Sequence, residues 1–230
     1  MPWTLNNRVL DTIEYVWSIG GGLGKIPNRY NARTITPEMI KEAHFTEKLK
    51  LLKEHQQNSE AHSLRCSFLL TLKIAQSFRQ CNELYFPHNC DFRGRVYPIT
   101  PHLNHMGDDL KRGILNFSEG KRIGEDGIWW LKVHFANKWG KDKLPLDGRA
   151  AFADEMMDVI HKCADDPHNN LEWLQAENPW QALACIFELS EALKLDNPAD
   201  YVSRLHVHVD GSCNGMQHYA AFGRDSNGGR

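Results

Sequence analysis

The stretch from Leu205 to Asp225 constrains the fold more than any other part of this 230-residue chain. Apolar and polar residues alternate over residues 205–210, in the order Leu-His-Val-His-Val-Asp, and this period of two is typical of a half-buried strand. A turn sequence, Gly-Ser-Cys-Asn-Gly, follows at residues 211–215, and the next segment has a helical composition. The sequence therefore predicts a strand, a tight turn and a helix, with Asp210 where the strand ends.

Asp210 is a candidate metal ligand, because its carboxylate would be fixed by the strand and would still face a cleft. Gly211 has no side chain, so its backbone can approach a ligand closely. Spacing alone allows a second interpretation, in which His206, His208 and Asp210 share one face and begin a zinc or two-metal hydrolase site. A third interpretation is a simple turn aspartate, since aspartate is common in turns.

A second informative stretch runs from Tyr85 to Leu115. Its core is Asp-Phe-Arg-Gly-Arg at residues 91–95, which places an arginine on each side of a glycine. Guanidinium groups bind phosphate oxygens in a bidentate manner, so both arginines are candidate phosphate contacts. An alternative of similar weight is that one of them pairs with Asp91. The prolines of this stretch favour extended chain and turns over helix.

Most of the remaining chain has helical periodicity. Apolar residues recur at helical spacing over residues 4–19, and glycines at 20–24 would end that helix. No proline lies between Pro37 and Pro87, which predicts one or two long helices. Further helices are expected over residues 125–140, over 152–160 and from Asn178-Pro179, a cap followed by a first-turn proline. Helices combined with a few short strands predict an α+β fold.

Composition narrows the possible classes of protein. The formal net charge of -2 is a mild argument against a nucleic-acid-binding protein, whose surface is usually basic, although the positions of Lys and Arg decide. No run of 18 apolar residues occurs, so no membrane span is predicted. The first residues lack the features of a signal or transit peptide.

Cysteine and histidine spacing predicts no zinc site. The six cysteines include no C-x-x-C pair, and a reducing compartment fits them best. His88 with Cys90, or His102 with His105, could begin such a site. Neither pair has a second pair at a suitable spacing.

Two strings carry a family resemblance. DGSCNGMQHYAAFGRD, residues 210–225, resembles the first catalytic motif of the single-subunit RNA polymerases of bacteriophages and mitochondria. YFPHNCDFRGRVYP, residues 85–98, is similar to the segment that opens the palm of the same polymerases, and the two motifs follow in the family's order. The beginning, PWTLNNRVL, and the closing GGR also look like family sequence, so the resemblance covers essentially the whole chain.

The resemblance implies a division of the chain into four regions. Residues 1–84 would form a helical thumb-like region, 85–120 the first part of the palm, and 121–200 a helical palm insertion. Residues 201–230 would supply a palm strand and the turn that carries the first catalytic aspartate. It also implies that the polar helical segment at 48–65 contacts nucleic acid, whereas its composition alone indicates a solvated face.

The resemblance further implies template-directed nucleotidyl transfer from NTPs to the RNA 3'-end with two Mg²⁺ ions. Asp210 would be the catalytic residue, and Asp210 and Gly211 would be metal ligands. Lys143 and Asp142 would lie near the triphosphate of the incoming nucleotide. Partners would be the DNA template and promoter, nascent RNA and, in the mitochondrion or alternatively the plastid, transcription factors. The residues that would hold nucleic acid are Asp91, Arg93 and Arg95.

The family's second catalytic aspartate and its nucleotide-binding fingers helix follow the first motif. These elements lie beyond the 230 residues, so we expect an internal fragment that does not polymerise alone. Val209 departs from the family pattern, because mitochondrial relatives usually carry Gln there. Two alternatives stay open, namely a metal-dependent phosphoesterase built on the H-x-H-x-D array and a non-catalytic nucleic-acid-binding fragment.

Overall fold

Helices dominate the computed structural model, which describes residues 1–209 and 214–227. The α-helices of this part are α1 Asn7–Ser18, α2 Pro37–Glu42, α3 Phe45–Ser77, α4 Asp109–Ile114, α5 Gly127–Trp139, α6 Leu146–Glu155, α7 Met157–Asp165, α8 Pro179–Leu193 and α9 Asn214–Gly223. The strands are β1 Trp3–Leu5, β2 His88–Cys90, β3 Val96–Pro98, β4 Leu115–Phe117, β5 Lys121–Arg122 and β6 Val202–Ser203. They form antiparallel pairs, β1 with β4, β2 with β3 and β5 with β6. This mixture confirms the predicted α+β class.

Helix α8 is the centre of the hydrophobic core. It is apolar on all sides, and such a helix is normally buried; 13 of its 15 residues are buried here. Helices α4, α5 and α7 pack around it. Its first turn is held by another helix, because the Asp109 carboxylate of α4 accepts hydrogen bonds from the backbone N–H groups of Trp180 and Gln181. A partly buried carboxylate therefore satisfies backbone donors that would otherwise lack partners.

The N-terminal half of the chain follows its predicted helices. Helix α1 begins after Asn6, whose side chain accepts a hydrogen bond from the N–H of Val9. Helix α3 is 33 residues long, and its C-terminal part contributes Phe68, Leu72 and Ala75 to the core. Much of the remainder of α3 is exposed. The proline-free segment therefore forms one short helix and one long helix.

The insertion departs from the sequence prediction at Met156. We expected one helix over residues 152–160, but the helix breaks at Met156 into α6 and α7. The break lets α7 place Ile160, Cys163 and Ala164 in the core against α8. Within the described residues, none of the helices has both the length and the apolarity that crossing a bilayer requires.

The segment before Asp210 faces the opposite way from the prediction. Alternation placed the valines on the buried face, but Val207 is 59% exposed and Val209 is 90% exposed, whereas His206 is 5% exposed. Strand β6 ends at Ser203, and residues 204–209 belong to no strand. The reason is packing, because the His206 ring meets the edge of Trp3 with the ring centroids 5.3 Å apart. An aromatic neighbour has drawn the histidine inward.

Candidate functional site

The hairpin β2–β3 shows how the Asp-Phe-Arg-Gly-Arg sequence folds. The Asp91 Oδ1 atom accepts hydrogen bonds from the backbone N–H groups of Arg93 and Arg95, both at 2.9 Å. Gly94 has a φ of 78°, which is left-handed and favours glycine. Asp91 therefore shapes the tip by bonding to its own turn, as aspartate commonly does.

The same turn directs an aromatic ring and two cations outward. Phe92 is 96% exposed, and the Arg93 guanidinium lies 5.5 Å from the centroid of its ring. Arg93 also pairs with Asp91, with Nη2 and Oδ2 3.3 Å apart, and its side chain stays 53% exposed. Arg95 is exposed. The pairing alternative thus holds for Arg93, and both arginines remain open to solvent.

Sequence reasoning missed Phe92. The signal was available, since an aromatic residue at the tip of a polar turn has no core to enter. Exposed aromatic rings beside arginines are typical of surfaces that contact single-stranded nucleic acid. Phe92 therefore joins Arg93 and Arg95 as a candidate contact.

Asp142 and Lys143 lie in the loop between α5 and α6. The Lys143 side chain is 93% exposed, and its Nζ lies 3.3 Å from Oδ2 of Asp142. Arg149 of α6 holds the loop backbone, because it donates hydrogen bonds to the carbonyl oxygens of Asp142 and Leu144 at 2.6 and 2.8 Å. The loop is thus anchored, and the Lys143 ammonium group, although paired with Asp142, stays open to solvent.

Asp210 and Gly211 lie outside the described residues, but the segment that leads to them is described. Burial lowers the pKa of His206 to about 4 and that of His208 to about 4. Burial also lowers the pKa of His134, on α5, to about 3. These imidazoles are therefore neutral at pH 7. The positive charges of Arg112 and Lys138 also lower the pKa values of His206 and His208. Two cations therefore lie near these histidines.

Of the H-x-H-x-D array, the structure describes His206 and His208 but not Asp210, so the hydrolase interpretation stays a prediction. His206 is buried against Trp3 and Phe117, with the second pair of ring centroids 6.1 Å apart. Over residues 1–209 and 214–227, no group of three or more His, Cys, Asp or Glu side chains is placed to hold a metal. His206 thus serves as a packing residue.

Comparison with known proteins decides the family. The family model described as DNA-dependent RNA polymerase matches residues 121–230. The mitochondrial DNA-directed RNA polymerase of Neurospora crassa is 46% identical over 229 residues, which are 97% of this chain and 16% of that protein. The chain therefore carries a domain of the DNA-dependent RNA polymerase family over residues 121–230. DNA-directed RNA polymerase 2, chloroplastic/mitochondrial, of Arabidopsis thaliana is 44% identical over 98% of this chain and 23% of its own length.

The chain therefore spans less than a quarter of the length of these two polymerases, in agreement with the expected fragment. The matched region includes the Asp142–Lys143 loop and the Asp210 motif. Among the described residues, no hydrogen bond or ion pair joins that loop to the Asp91–Arg95 hairpin. The roles of the individual residues, and the boundaries of the four regions, stay predictions.

Proposed function

We propose that this chain forms part of a DNA-directed RNA polymerase that transfers nucleotides from NTPs to the 3'-end of RNA. The observation that carries the proposal is the hairpin tip, where Phe92, Arg93 and Arg95 are all exposed on one anchored turn. Guanidinium groups suit phosphates, and an exposed ring suits a nucleobase.

The residues divide the work of the reaction. Arg93 and Arg95 bind the phosphates of template or transcript, Phe92 stacks on a base, and Lys143 binds the triphosphate of the incoming nucleotide. Asp91 positions both arginines through its turn and makes no phosphate contact of its own.

The proposal includes a pair of Mg²⁺ ions. Asp210 and Gly211 offer a carboxylate and a backbone carbonyl, and Mg²⁺ prefers such oxygen ligands. When bound, these ions supply activation of the RNA 3'-hydroxyl and stabilisation of the leaving pyrophosphate. The second carboxylate of the full site would come from a segment beyond Arg230. DNA template and promoter, nascent RNA and transcription factors would be the partners, in the mitochondrion or, alternatively, in the plastid.

A chimeric enzyme tests the catalytic role. Residues 1–230 replace the matching segment of the Neurospora crassa polymerase, and templated extension of an RNA primer is measured with Mg²⁺. We expect activity in the chimera and loss of activity in its Asp210→Asn variant. Asp126→Asn, a change of an exposed carboxylate before α5, is the matched control and should keep the rate. An Asp210→Asn chimera as fast as its parent would overturn the proposal.

A binding experiment tests the hairpin separately. The affinity of the 230-residue chain for an RNA–DNA hybrid is measured as salt concentration rises. Arg95→Ala should weaken binding and lower the slope of log K against log salt by about 1, since one phosphate contact is lost. Arg122→Ala is the control, because that arginine is also exposed but pairs with Asp200 away from the hairpin. Equal slopes for both variants would contradict the role of Arg95.

A further inference from the structure

Two histidines that no sequence pattern pairs lie side by side in the fold. His88 is on β2, and His105 is in the loop between β3 and α4. Their Nε2 atoms are 3.5 Å apart, and their ring centroids are 5.1 Å apart. Spacing suggested His88 with Cys90 and His102 with His105, but folding has joined one member of each pair.

The separation of the two nitrogen atoms fits a shared metal ion. Imidazole nitrogens bind Zn²⁺ at about 2.0–2.1 Å in tetrahedral geometry, which sets two such nitrogens about 3.4 Å apart. The observed 3.5 Å needs almost no adjustment. Imidazole is a ligand for Zn²⁺, Ni²⁺ and Cu²⁺ and a poor one for Mg²⁺. The pair therefore selects ions other than those of the polymerase reaction.

The surroundings hold one ring and leave the other open. His105 is stacked on Trp3, with centroids 5.1 Å apart and an interplanar angle of 17°, and it also contacts Phe86. Imidazole nitrogens bind metals in the neutral form. His88 is exposed, so water can complete the coordination shell.

We propose that His88 and His105 form a two-histidine binding site for a transition-metal cation of the Zn²⁺ class. A bound ion ties β2 to the loop after β3, and through His105 to Trp3 of β1. It therefore stabilises the base of the hairpin whose tip carries Phe92 and Arg93. This inference is independent of the proposed polymerase activity, because it concerns other residues and another kind of ion.

Calorimetric titration of the 230-residue chain with ZnCl₂ at neutral pH tests the site. We expect a saturable event that His88→Ala weakens tenfold or more, since loss of outer-shell groups alone costs roughly 10–100-fold. His88 is exposed, so this variant should fold, and its thermal unfolding without zinc should match the parent. His105→Ala should weaken binding as well. Zinc should raise the Tm of the parent and not that of His88→Ala.

Two controls locate the ion. His102→Ala changes a histidine of the same loop and should leave binding intact. His62→Ala removes the partner of Cys66 on α3, where Sγ and Nε2 are also 3.5 Å apart, and should not affect the His88-dependent event. Zinc binding that survives His88→Ala would overturn the proposal. So would the absence of saturable binding, which would make the pair a hydrogen bond between two imidazoles only.

Discussion

Helix α8 and the hairpin β2–β3 differ most in how much of their side chains they bury. In α8, 13 of 15 residues are buried, including the fully buried Trp180. In the hairpin, all of β2 is exposed and Phe92 is 96% exposed. The burial of the helix contributes free energy of folding, whereas the hairpin tip exposes its aromatic ring and its arginines to solvent. Residues that stabilise this protein and residues that could bind its ligands are therefore largely separate sets.

The largest effect should come from Trp180→Ala, which tests the buried half of the comparison. The indole is fully buried, and its Nε1 donates a hydrogen bond to the Gly24 carbonyl oxygen at 2.6 Å. Its loss should lower the free energy of unfolding by about 3–5 kcal/mol, measured by urea denaturation. Trp130→Ala removes a 54% exposed indole and should cost about 0.5 kcal/mol or less. Similar losses for the two would break the comparison.

Acidic pH should destabilise the protein, because the imidazole of His134 is buried. Burial lowers the pKa of His134 to about 3, with contributions from Lys138, His206 and His208. The pKa of His134 in the folded state lies below its unfolded value of about 6.5. The free energy of unfolding is therefore not reduced by this group above pH 6.5, and it falls as the pH drops from 6.5 towards 3. Between pH 7 and 4.5, protonation of His134 in the unfolded state should lower the free energy of unfolding by roughly 2–3 kcal/mol.

The measurement is the pH dependence of urea unfolding for the parent and for His134→Gln. Subtracting one curve from the other removes the contributions of the carboxylates that both proteins share. The difference should appear below pH 6.5 and should grow as the pH falls. Parallel curves would show that His134 is not the origin of the acid sensitivity.

Phe92→Ala sharpens the exposed half of the comparison. Its effect should fall on binding, because an aromatic ring stacked on a base contributes about 1–3 kcal/mol. The free energy of unfolding should change by about 0.5 kcal/mol or less, since the ring is 96% exposed. Fluorescence anisotropy with single-stranded RNA or DNA measures the first quantity, and urea unfolding the second. A variant that loses stability but keeps its affinity would reverse the assignment.

The smallest effect concerns two glycines on either side of the loop between α5 and α6, Gly140 at the end of α5 and Gly148 in the first turn of α6. Gly140 ends α5 with a φ of 95°, and an added Cβ would lie 3.0 Å from Oε2 of Glu177. Gly140→Ala should therefore destabilise the chain by about 1–2 kcal/mol. Gly148 lies within α6, where the nearest atoms to a Cβ are 3.6 Å away.

Gly148→Ala should be neutral or should stabilise by about 0.5–1 kcal/mol, because alanine favours a helix. Thermal or urea unfolding of the two variants gives both numbers. If Gly148→Ala were less stable than Gly140→Ala, the backbone conformation of Gly140 would not be what determines the loss of stability.

Local signals in the sequence predicted several helix ends, but α4, Asp109–Ile114, lies in a stretch for which we predicted extended chain and turns. The glycines after Ser18, the proline at position 179 and Gly140 all act on the backbone of neighbouring residues, so their effect is readable without the fold. The break at Met156 was missed, because packing of α7 against α8 decides it. Short-range chemistry is visible in sequence, whereas a helix break imposed by long-range packing is not.

The candidate site shows the same division. Sequence alone singled out Arg93 and Arg95, and the Asp91 turn that presents them depends on neighbours within four residues. It misjudged the segment before Asp210, because the alternation predicted buried valines, whereas His206 is buried and the valines are exposed. Trp3, more than 200 positions away, decides that His206 turns inward.

The sequence by itself determined the α+β class, the C-terminal ends of α1 and α5, the start of α8 and the resemblance to the polymerase family. These depend on local backbone preferences or on strings of residues that are legible in order. Only the tertiary structure decided that Asp109 would hold the start of α8, that His206 would be buried and that His88 would meet His105. Each of those contacts joins residues far apart in the chain, and its partner is chosen by packing, which no local pattern encodes.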